Sequence, residues 1–591
     1  MGTCDDLRYS IRNNRVHRCG DDNGKEEEEM NHFDELLTKE PYRSIFDDGS
    51  SYKITPSGIE RGHVEYDKRN GTSRWNSDKT ISAKAFLPTA IMDNQDEAVQ
   101  KVEVSLWERN RWKQTVVNRE VLCNSSKVSQ LANMGFPVGS DNAKDIAKYF
   151  NSILAEYDEK IPRHASRSVM GWAEMDGQRV FMPYTDALSF DGEDAYKHLY
   201  DSISALGTLE EWTAFMKDVR SESIEMRLTM AASFASPLIE LIGENPFILH
   251  LWAETGSGKT VALMTAMSIW GDPQNGKMLR SLNMTMNSML STAAFLNSIP
   301  FAGDELQTLK NRWSKSYDQI IMQLTEGVDR GRMQNDRLLR TKSWRNAFIF
   351  SGEEPIIKAS SGGGAVNRVI QLEVDSKRKI TNHGNEVANF VRQHFGTAGP
   401  AWVEFLRSEQ DRLREMYNLA FCEILNQSDT TDKQAGAMSI LFLADNLASE
   451  RFFPSERKLQ IEDVLPYLAS KSQVDISERA FEYVAGVIAE NYANFKESAI
   501  RSWGDISEDG DTVRINKTVL ARIMSDEGYD FDACKKKWSR TGKLVLTPSG
   551  KFAGYASVNG VRGQYVTLTM PDESEQTNLT KPIDYKGDIP F

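Results

Sequence analysis

The residues with the clearest chemistry form a glycine-rich motif near the middle of the chain. It reads Ala253-Glu254-Thr255-Gly256-Ser257-Gly258-Lys259-Thr260. The motif lies between an apolar run at 247–252 and a helical pattern at 261–270, and a loop between a strand and a helix is what a phosphate site requires. Its backbone N–H groups would cradle the phosphates of ATP, Lys259 would contact the β- and γ-oxygens, and the Thr260 hydroxyl would bind Mg²⁺. The first glycine of the pattern is replaced by Ala253, but the later glycines build the anion site, so we expect binding to survive.

A pair of carboxylates follows at a suitable distance. Asp304 and Glu305 come after a weak strand pattern at 297–302, in which Pro300 and Gly303 argue against a central strand. We expect Asp304 to hold Mg²⁺ through water and Glu305 to polarise the attacking water. The alternative is an exposed acidic pair, which is common in an acidic protein. The glycine motif upstream favours the catalytic interpretation.

Two further residues are candidates for catalysis. Ser351 ends the apolar run 347–350, where a polar side chain can touch the γ-phosphate or its water. Arg368 follows a flexible glycine loop and is placed to enter a neighbouring subunit's site, where it would stabilise transition-state charge. The alternative for Arg368 is a surface arginine before a strand. Short apolar runs alternate with helical stretches over 226–400, which predicts a parallel sheet with helical crossovers.

Two basic segments could contact nucleic acid. Residues 330–345 have the pattern strand, Asn-Asp turn, strand, with outward cations at Arg332, Arg337, Arg340 and Lys342. Such a hairpin can grip a phosphate backbone, although a solvated charged hairpin fits the pattern equally well. Further along, helices at 517–526 and 531–540 precede a strand pair around Asn559-Gly560, which is the order of a winged helix. Its second helix carries Lys535, Lys536, Lys537 and Arg540, suited to duplex DNA, but many winged helices bind protein instead.

The totals bound the rest. A chain of 591 residues is too long for one core, and its formal net charge of −14 means that any nucleic-acid surface must be a local basic patch. We find no membrane span or signal peptide, and five scattered cysteines are typical of a reducing cytoplasm. The predicted organisation is an acidic disordered tail (1–60), an N-terminal α+β domain (61–225), a P-loop ATPase domain (226–400), a helical region (401–500), a winged helix (501–570) and a flexible C-terminal tail (571–591).

These motifs together resemble domain-of-unknown-function family 927. The resemblance is carried by Leu251-Trp252 and the glycine motif, Ser268-Ile269-Trp270-Gly271, Gly303-Asp304-Glu305, Gly331-Arg332, Phe350-Ser351-Gly352-Glu353, Ser168-Val169-Met170-Gly171-Trp172 and Met182-Pro183. Members are often carried by phages and other mobile elements, and some are similar to MCM-like and superfamily 3 AAA+ replicative helicases. The resemblance implies an AAA+ core, a hexameric ring in a bacterial host's cytoplasm, Arg368 acting in trans, and the 330–345 hairpin in a central channel that holds single-stranded DNA. Ser351 stands where many such helicases carry asparagine.

The last residues carry a second resemblance. Asp584-Tyr585-Lys586-Gly587-Asp588-Ile589-Pro590-Phe591 is similar to the acidic tip of bacterial single-stranded-DNA-binding proteins, which implies a docking peptide for host replication proteins. A frayed tail is the alternative. For the whole chain we predict a ring helicase acting on single-stranded and forked DNA. Two alternatives remain: an NTPase that does not unwind, such as a packaging motor or origin-binding switch, and a DNA-binding scaffold, which the complete set of nucleotide-site residues disfavours.

Overall fold

A computed structural model describes most of the chain, namely residues 33–39, 42–43, 51–97, 99–309, 317–330, 333–334, 337–338, 341–375 and 378–570. The chain divides into two compact units. The N-terminal unit consists of Met1–Ser168 and Asp186–Asp191, and the second unit consists of Val169–Thr185 and Gly192–Phe591. Among the described helices, none combines the length and the apolar character that crossing a bilayer requires.

The described residues of the N-terminal unit form two sheets and several helices, including a short one at 33–37. In chain order, and including one hairpin of the second unit, the strands are β1 (Tyr52–Thr55), β2 (Gly58–Asp67), β3 (Thr72–Ser82), β4 (Phe86–Asn94), β5 (Gln100–Glu108), β6 (Arg111–Asn118), β7 (Arg163–Arg167), β8 (Gly171–Met175), β9 (Gln178–Met182) and β10 (Ser189–Phe190). Strands β1-β2-β3 form one sheet and β10-β7-β4-β5-β6 the other, while β8 and β9 pair with each other. Helices α1 (Arg119–Cys123) and α2 (Ala143–Glu156) complete the unit, with a 3-10 turn at Val128–Met134.

Alternation at Val102, Val104 and Leu106 before the turn Glu108-Arg109-Asn110 predicts a hairpin in this unit, and the structure confirms it. Glu108 pairs with Arg111, and the two turn residues Arg109 and Asn110 both have positive φ, at 52° and 57°. A two-residue turn with this backbone matches the twist of the flanking strands. The spacing of Ile146, Phe150, Ile153 and Leu154 predicts a helix, and these residues form α2. The Tyr149 hydroxyl of α2 donates to the Phe86 carbonyl at 2.8 Å.

The predicted borders of the N-terminal domain were wrong at both ends. Strand β1 and the start of β2 lie within the segment predicted to be a tail, because Tyr52, Ile54 and Ile59 alternate into the core. At the other end the unit closes at Asp191, and a helix at Ile224–Ile242 crosses the predicted border at 225. That helix is apolar on nearly every side and packs within the second unit. The acidic run 25–29 and the C-terminal tail 571–591 lie outside the described residues.

The second unit contains helices before, between and after the strands of a central sheet. Its helices are α3 (Asp194–Ser202), α4 (Leu209–Ser221), α5 (Ile224–Ile242), α6 (Lys259–Met267), α7 (Met286–Leu296), α8 (Asp318–Thr325), α9 (Gly363–Val366), α10 (Gly384–Val391), α11 (Ala398–Gln427), α12 (Asp432–Phe452), α13 (Ile461–Val464), α14 (Lys471–Val474), α15 (Ile476–Glu490), α16 (Lys517–Asp526) and α17 (Phe531–Arg540), with 3-10 turns at Leu306–Leu309, Leu465–Tyr467 and Tyr492–Phe495.

The central sheet is parallel, as predicted, and it has five strands. They are β11 (Ile248–Trp252), β12 (Leu279–Ser281), β13 (Phe301–Asp304), β16 (Phe348–Gly352) and β17 (Val369–Glu373). Their spatial order is β12-β13-β16-β11-β17, so all five carboxyl ends open on the same edge. The weak strand begins at Phe301 rather than 297, and Pro300 therefore stays outside it. In the chain segment that connects β13 to β16, the short strands β14 (Met333–Gln334) and β15 (Arg337–Leu338) form a separate antiparallel pair.

Helices α11 and α12 form the helical region. Helix α11 crosses the predicted border at 400, so this border was also misplaced. An ion-pair network buries two arginines against one carboxylate: Asp445 lies 2.6 Å from both Arg220 and Arg227. These pairs tie α12 to α4 and α5.

The C-terminal module has helices and strands in the predicted winged-helix order. Its strands are β18 (Gly504–Ile506), β19 (Thr512–Asn516), β20 (Leu544–Val545), β21 (Gly554–Val558) and β22 (Val561–Thr569). The two predicted helices form α16 and α17 with the predicted bounds, and the Asn559-Gly560 turn joins β21 to β22. Helix α15 belongs to the same core through Phe481 and Val484, so the module begins before the predicted residue 501.

Candidate functional site

The glycine-rich loop (residues 253–258) lies at the carboxyl end of the middle part of the sheet. It leaves β11 and enters α6, which begins at Lys259. Gly256 and Gly258 have φ of 86° and 97°, a conformation that glycine adopts without a steric cost. The Lys259 ammonium donates to the carbonyls of Ala253 and Glu254, at 2.7 and 2.8 Å, and approaches the Ser257 hydroxyl at 3.5 Å. Partial burial lowers the pKa of Lys259, as expected for a cation held inside a loop.

Asp304 joins the two neighbouring motifs. Gly303 of β13 is paired with Phe350 of β16, so the next residues on these strands, Asp304 and Ser351, lie side by side. One carboxylate oxygen of Asp304 accepts from the Thr260 hydroxyl at 2.8 Å, and the other accepts from the Ser351 hydroxyl. The structure therefore brings together three residues that the sequence predicted for one site.

Glu305 lies beside this cluster in an unusual conformation. Its φ of 64° is in the left-handed region, which costs a residue with a Cβ about 1–2 kcal/mol. The backbone is fixed by Thr308, whose N–H and hydroxyl donate to the Glu305 carbonyl at 3.0 and 2.8 Å. The Glu305 side chain is exposed and lines the same cavity as Lys259 and Asp304.

The cavity has a volume of about 650 Å³ and a second wall that the sequence did not reveal. Residues 379–386, which follow β17 and begin α10, face the glycine-rich loop. The Ile380 N–H donates to the Ser257 carbonyl at 2.9 Å, and Thr381 is buried against Gly258. Glu353 was also missed as a site residue: its carboxylate accepts from the Thr255 hydroxyl at 2.6 Å. The wall at 379–386 could have been predicted from the parallel sheet. All strands of a parallel sheet end on the same edge, so the loop that follows β17 must lie at the edge that carries the glycine-rich loop.

Arg368 lies at the opposite edge of the sheet from this cavity. It precedes β17, whose first residue Val369 pairs with Ile248 at the start of β11, whereas the glycine-rich loop follows the end of β11. Five residues of strand span about 16 Å, so Arg368 does not belong to its own chain's cavity. Its guanidinium donates to the Gly364 carbonyl at 2.7 Å and lines a separate cleft of about 490 Å³.

The predicted basic hairpin is described only in part. Strands β14 and β15 pair as predicted, and a bridge between Val328 and Ser343 extends the ladder at its base. Lys342 is exposed. Arg337 lies on β15, whose side chains are not described, and Arg332 and Arg340 lie outside the described residues.

The basic residues of α17 differ in their surroundings. Lys535 pairs with Asp532 of the same helix, and Lys537 pairs with Asp475 at the start of α15. Lys536 and Arg540 are exposed and have no carboxylate within ion-pair distance among the described residues. From Thr541 to Met570 the sequence contains no acidic residue, although Lys543, Lys551 and Arg562 lie there. Of these three, Lys543 pairs with Glu478 of α15. The module therefore carries a local positive surface on an acidic chain.

The fold is similar to that of a solved structure over most of the chain. That structure is described as "SCCmec type IV Cch - active helicase", with 14% identity, 88% of this chain and 97% of that chain covered, and a TM-score of 0.64. The C-terminal region of NrS-1 matches with 11% identity over 81% of this chain and 96% of that chain, and the JCV helicase with 11% identity over 36% and 68%. Their TM-scores of 0.27 and 0.19 establish no shared fold. No curated protein matches the chain in sequence.

Two family models match the chain. Residues 52–344 match the domain of unknown function DUF927, and residues 475–573 match the Cch helix-turn-helix domain. The resemblance to this family that the motifs indicated is thus confirmed over residues 52–344. It is a multidomain α/β protein with a helix-turn-helix module at its C-terminal end.

Proposed function

We propose that this protein is an ATP-driven DNA helicase of a phage or other mobile element, with an AAA+ P-loop core. The observation that carries the proposal is the contact of Asp304 with both Thr260 and Ser351, directly beside the glycine-rich loop. The strand order β12-β13-β16-β11-β17 supports an AAA+ core. In this order β16 lies between β11, which leads into the glycine-rich loop, and β13, which ends at Asp304. The likeness to a structure described as an active helicase supports the choice of reaction.

The residues present fit a nucleotide with its magnesium ion. A hydroxyl and a carboxylate oxygen, held 2.8 Å apart by Thr260 and Asp304, are the hard oxygen donors that Mg²⁺ prefers. Open space lies beside Gly256, where an added Cβ would meet nothing within 4 Å, so phosphates can approach the backbone. The metal would neutralise charge on the phosphate oxygens. Lys259 would exchange its carbonyl contacts for those oxygens.

Each remaining residue has a separate role in this proposal. Glu305 orients the attacking water and draws off its proton. Ser351 fixes the Asp304 carboxylate by its hydrogen bond, a role that does not require the asparagine found in related helicases. Glu254, Thr255 and Ser257 complete the phosphate cradle through their backbone N–H groups. Residues 379–386 form the wall against which the nucleoside would lie.

A neighbouring subunit would complete the site. Arg368 is separated from its own cavity by the length of the sheet, so it can contact ATP only in the cavity of another protomer. Head-to-tail contacts that bring one edge of the sheet to the opposite edge of the next copy generate a closed ring or an open filament. We propose the ring, with six subunits.

Two surfaces would contact DNA. In the ring, the hairpin bearing Arg332, Arg337, Arg340 and Lys342 would follow single-stranded DNA, and the positive surface of the winged helix would hold the duplex of a fork. The C-terminal Asp-Ile-Pro-Phe tail as a docking peptide, and a location in the host cytoplasm, remain predictions from the sequence.

One second candidate deserves a test. The same site supports an ATPase that uses DNA without unwinding it, such as an origin-binding switch or packaging motor, because nothing in the nucleotide cavity specifies strand separation. A silent scaffold is disfavoured by the complete set of Lys259, Thr260, Asp304 and Glu305.

The deciding experiment compares ATP hydrolysis with strand displacement on a forked duplex that has a single-stranded tail. We expect DNA-stimulated hydrolysis and ATP-dependent displacement in the wild type, and loss of both in Lys259→Ala and Glu305→Gln. Vigorous hydrolysis without displacement would favour the switch or packaging motor. A purified protein that does not hydrolyse ATP under any DNA condition would refute both.

A further inference from the structure

One loop connects the strand of Ser351 to the helix that precedes Arg368. This connecting loop (residues 353–362) runs from β16 to α9, and Arg368 follows α9 within two residues. The Arg368 guanidinium is itself held by the α9 carbonyl of Gly364 at 2.7 Å. The position of Arg368 therefore depends on how α9 is anchored.

A single arginine of the winged-helix module binds three carbonyls of this loop. Arg479 on α15 donates to the carbonyls of Lys358, at 3.3 Å, and of Ala359 and Ser361. A guanidinium presents several N–H donors in a fixed plane, which suits carbonyls that converge from an irregular loop. Burial lowers the pKa of Arg479, although the group stays charged at any physiological pH.

The turn between α16 and α17 touches the same loop. Tyr529 lies between α16 and α17, and its hydroxyl donates to the Ala359 carbonyl at 2.8 Å. The neighbouring Gly528 is so close that an added Cβ would come within 2.9 Å of the Ser360 side chain. At Gly363, the first residue of α9, an added Cβ would meet the Val474 carbonyl at 2.7 Å. Few side-chain atoms separate the module from the loop at these points.

The other end of the loop contacts the nucleotide cavity. Glu353 accepts a hydrogen bond from Thr255 of the glycine-rich loop at 2.6 Å, and the Glu354 carbonyl lies 3.0 Å from the ring nitrogen Nε2 of His250 on β11. The ion pair between Glu354 and Lys358, at 2.5 Å, links the two halves of the connecting loop. One loop thus contacts the nucleotide site at its start and the winged-helix module at its end.

We propose that Arg479, assisted by Tyr529, is a positioning residue for Arg368. By fixing the carbonyls just before α9, it sets the direction in which Arg368 leaves the subunit towards its neighbour. DNA held by α16 and α17 would then alter ATP hydrolysis through the turn that carries Tyr529. This inference rests on the proposed role of Arg368 in the neighbouring site.

The test compares Arg479→Ala, Arg479→Lys and Tyr529→Phe in the full-length protein. The matched control is Arg514→Ala, because Arg514 belongs to the same module but pairs on its surface with Asp505. We expect Arg479→Ala to lower kcat for ATP about tenfold or more while leaving the KM and the affinity for a fluorescent ADP analogue unchanged. Arg479→Lys should recover part of the activity, Tyr529→Phe should lose a few-fold, and Arg514→Ala should match the wild type.

Hydrogen–deuterium exchange separates positioning from a general loss of folding. In Arg479→Ala and Tyr529→Phe, amides of residues 357–366 should exchange faster, while those of β19 and β22 keep their protection. An Arg479→Ala protein with wild-type kcat would overturn the inference, as would a fall in kcat with no change in exchange at 357–366. If Arg479→Ala does not fold, Tyr529→Phe decides by the same two criteria. The proposed function fails separately, if Arg368→Ala itself leaves hydrolysis intact.

Discussion

At the level of single residues, the proposed nucleotide site depends on how Asp304 is held. Its carboxylate accepts hydrogen bonds from Thr260 on one oxygen and from Ser351 on the other, and it approaches the Glu305 N–H at 3.1 Å. These donors fix the direction of the lone pairs that would face a metal-bound water. Residues that orient a ligand in this way are as much part of a metal site as the ligand itself.

Ser351→Ala removes one of these donors without changing the volume of the site much. We expect the Mg²⁺ concentration for half-maximal hydrolysis to rise about tenfold, since loss of an orienting partner typically weakens metal binding by about ten- to a hundredfold. The measurement is a magnesium titration of ATPase activity. Ser281→Ala is the matched control, because Ser281 ends the neighbouring strand β12. Identical magnesium curves for Ser351→Ala and wild type would contradict the assignment.

His250 provides a test that depends on pH. It is fully buried on β11, and burial lowers its pKa to about 4. The unfolded chain, with an ordinary histidine pKa near 6.5, takes up a proton before the folded chain does, so stability is complete above about pH 6.5 and falls as pH decreases towards 4. Between pH 7 and pH 5 we expect the free energy of unfolding of the wild type to fall by about 2 kcal/mol through this histidine, and His250→Gln should not show this fall. Denaturant unfolding of both proteins at pH 7 and pH 5 gives these free energies. Equal decreases in the wild type and in His250→Gln would refute the prediction.

At the scale of elements, the strands and helices were predicted better than their ends. The hairpin β5–β6 and the helices α16 and α17 formed as expected, because alternation, helical period and an Asn-Gly turn are local signals. The strand before Asp304 was placed too early, at 297. Its true start after Pro300 follows from pairing with β16, and Gly303 is required where a Cβ would fall 2.4 Å from Leu282. Neither contact is visible in sequence.

The basic side chains of α17 should contribute unequally to DNA binding. Lys537 already pairs with Asp475, whereas Lys536 and Arg540 face solvent, so only the latter two can release counterions fully when they meet phosphates. We expect Lys536→Ala with Arg540→Ala to weaken duplex binding and to reduce the slope of log affinity against log salt by about two. Lys537→Ala should change the slope by less than half as much per residue.

Fluorescence anisotropy of a labelled duplex over a range of NaCl concentrations gives these slopes. An equal change in the salt slope per residue for Lys536, Arg540 and Lys537 would show that the ion pair between Lys537 and Asp475 opens when DNA binds. No change for the double variant would exclude this face of α17 as the DNA surface.

At the scale of the whole molecule, the catalytic residues predicted from sequence lie at two opposite edges of one sheet. Lys259, Thr260, Asp304, Glu305 and Ser351 line or border one cavity, and Arg368 lies at the far end of β17. Sequence motifs foresaw the first group because a parallel sheet collects its carboxyl ends. They could not place the wall at 379–386 or the domain borders, since both depend on long-range packing. Helix α5 crosses one predicted border and packs against β11 and β16, and α11 crosses another and packs against α5 and α12.

Mixing two inactive proteins tests the central claim that one protomer's cavity is completed by its neighbour. Lys259→Ala lacks the lysine proposed to bind phosphate and Arg368→Ala lacks the arginine proposed to act in the neighbouring site, so each should fail to hydrolyse ATP alone. In an equal mixture with random assembly, about a quarter of the sites should regain both groups, so activity should return to about a quarter of wild type. No recovery at any mixing ratio, or an active Arg368→Ala protein, would contradict the account.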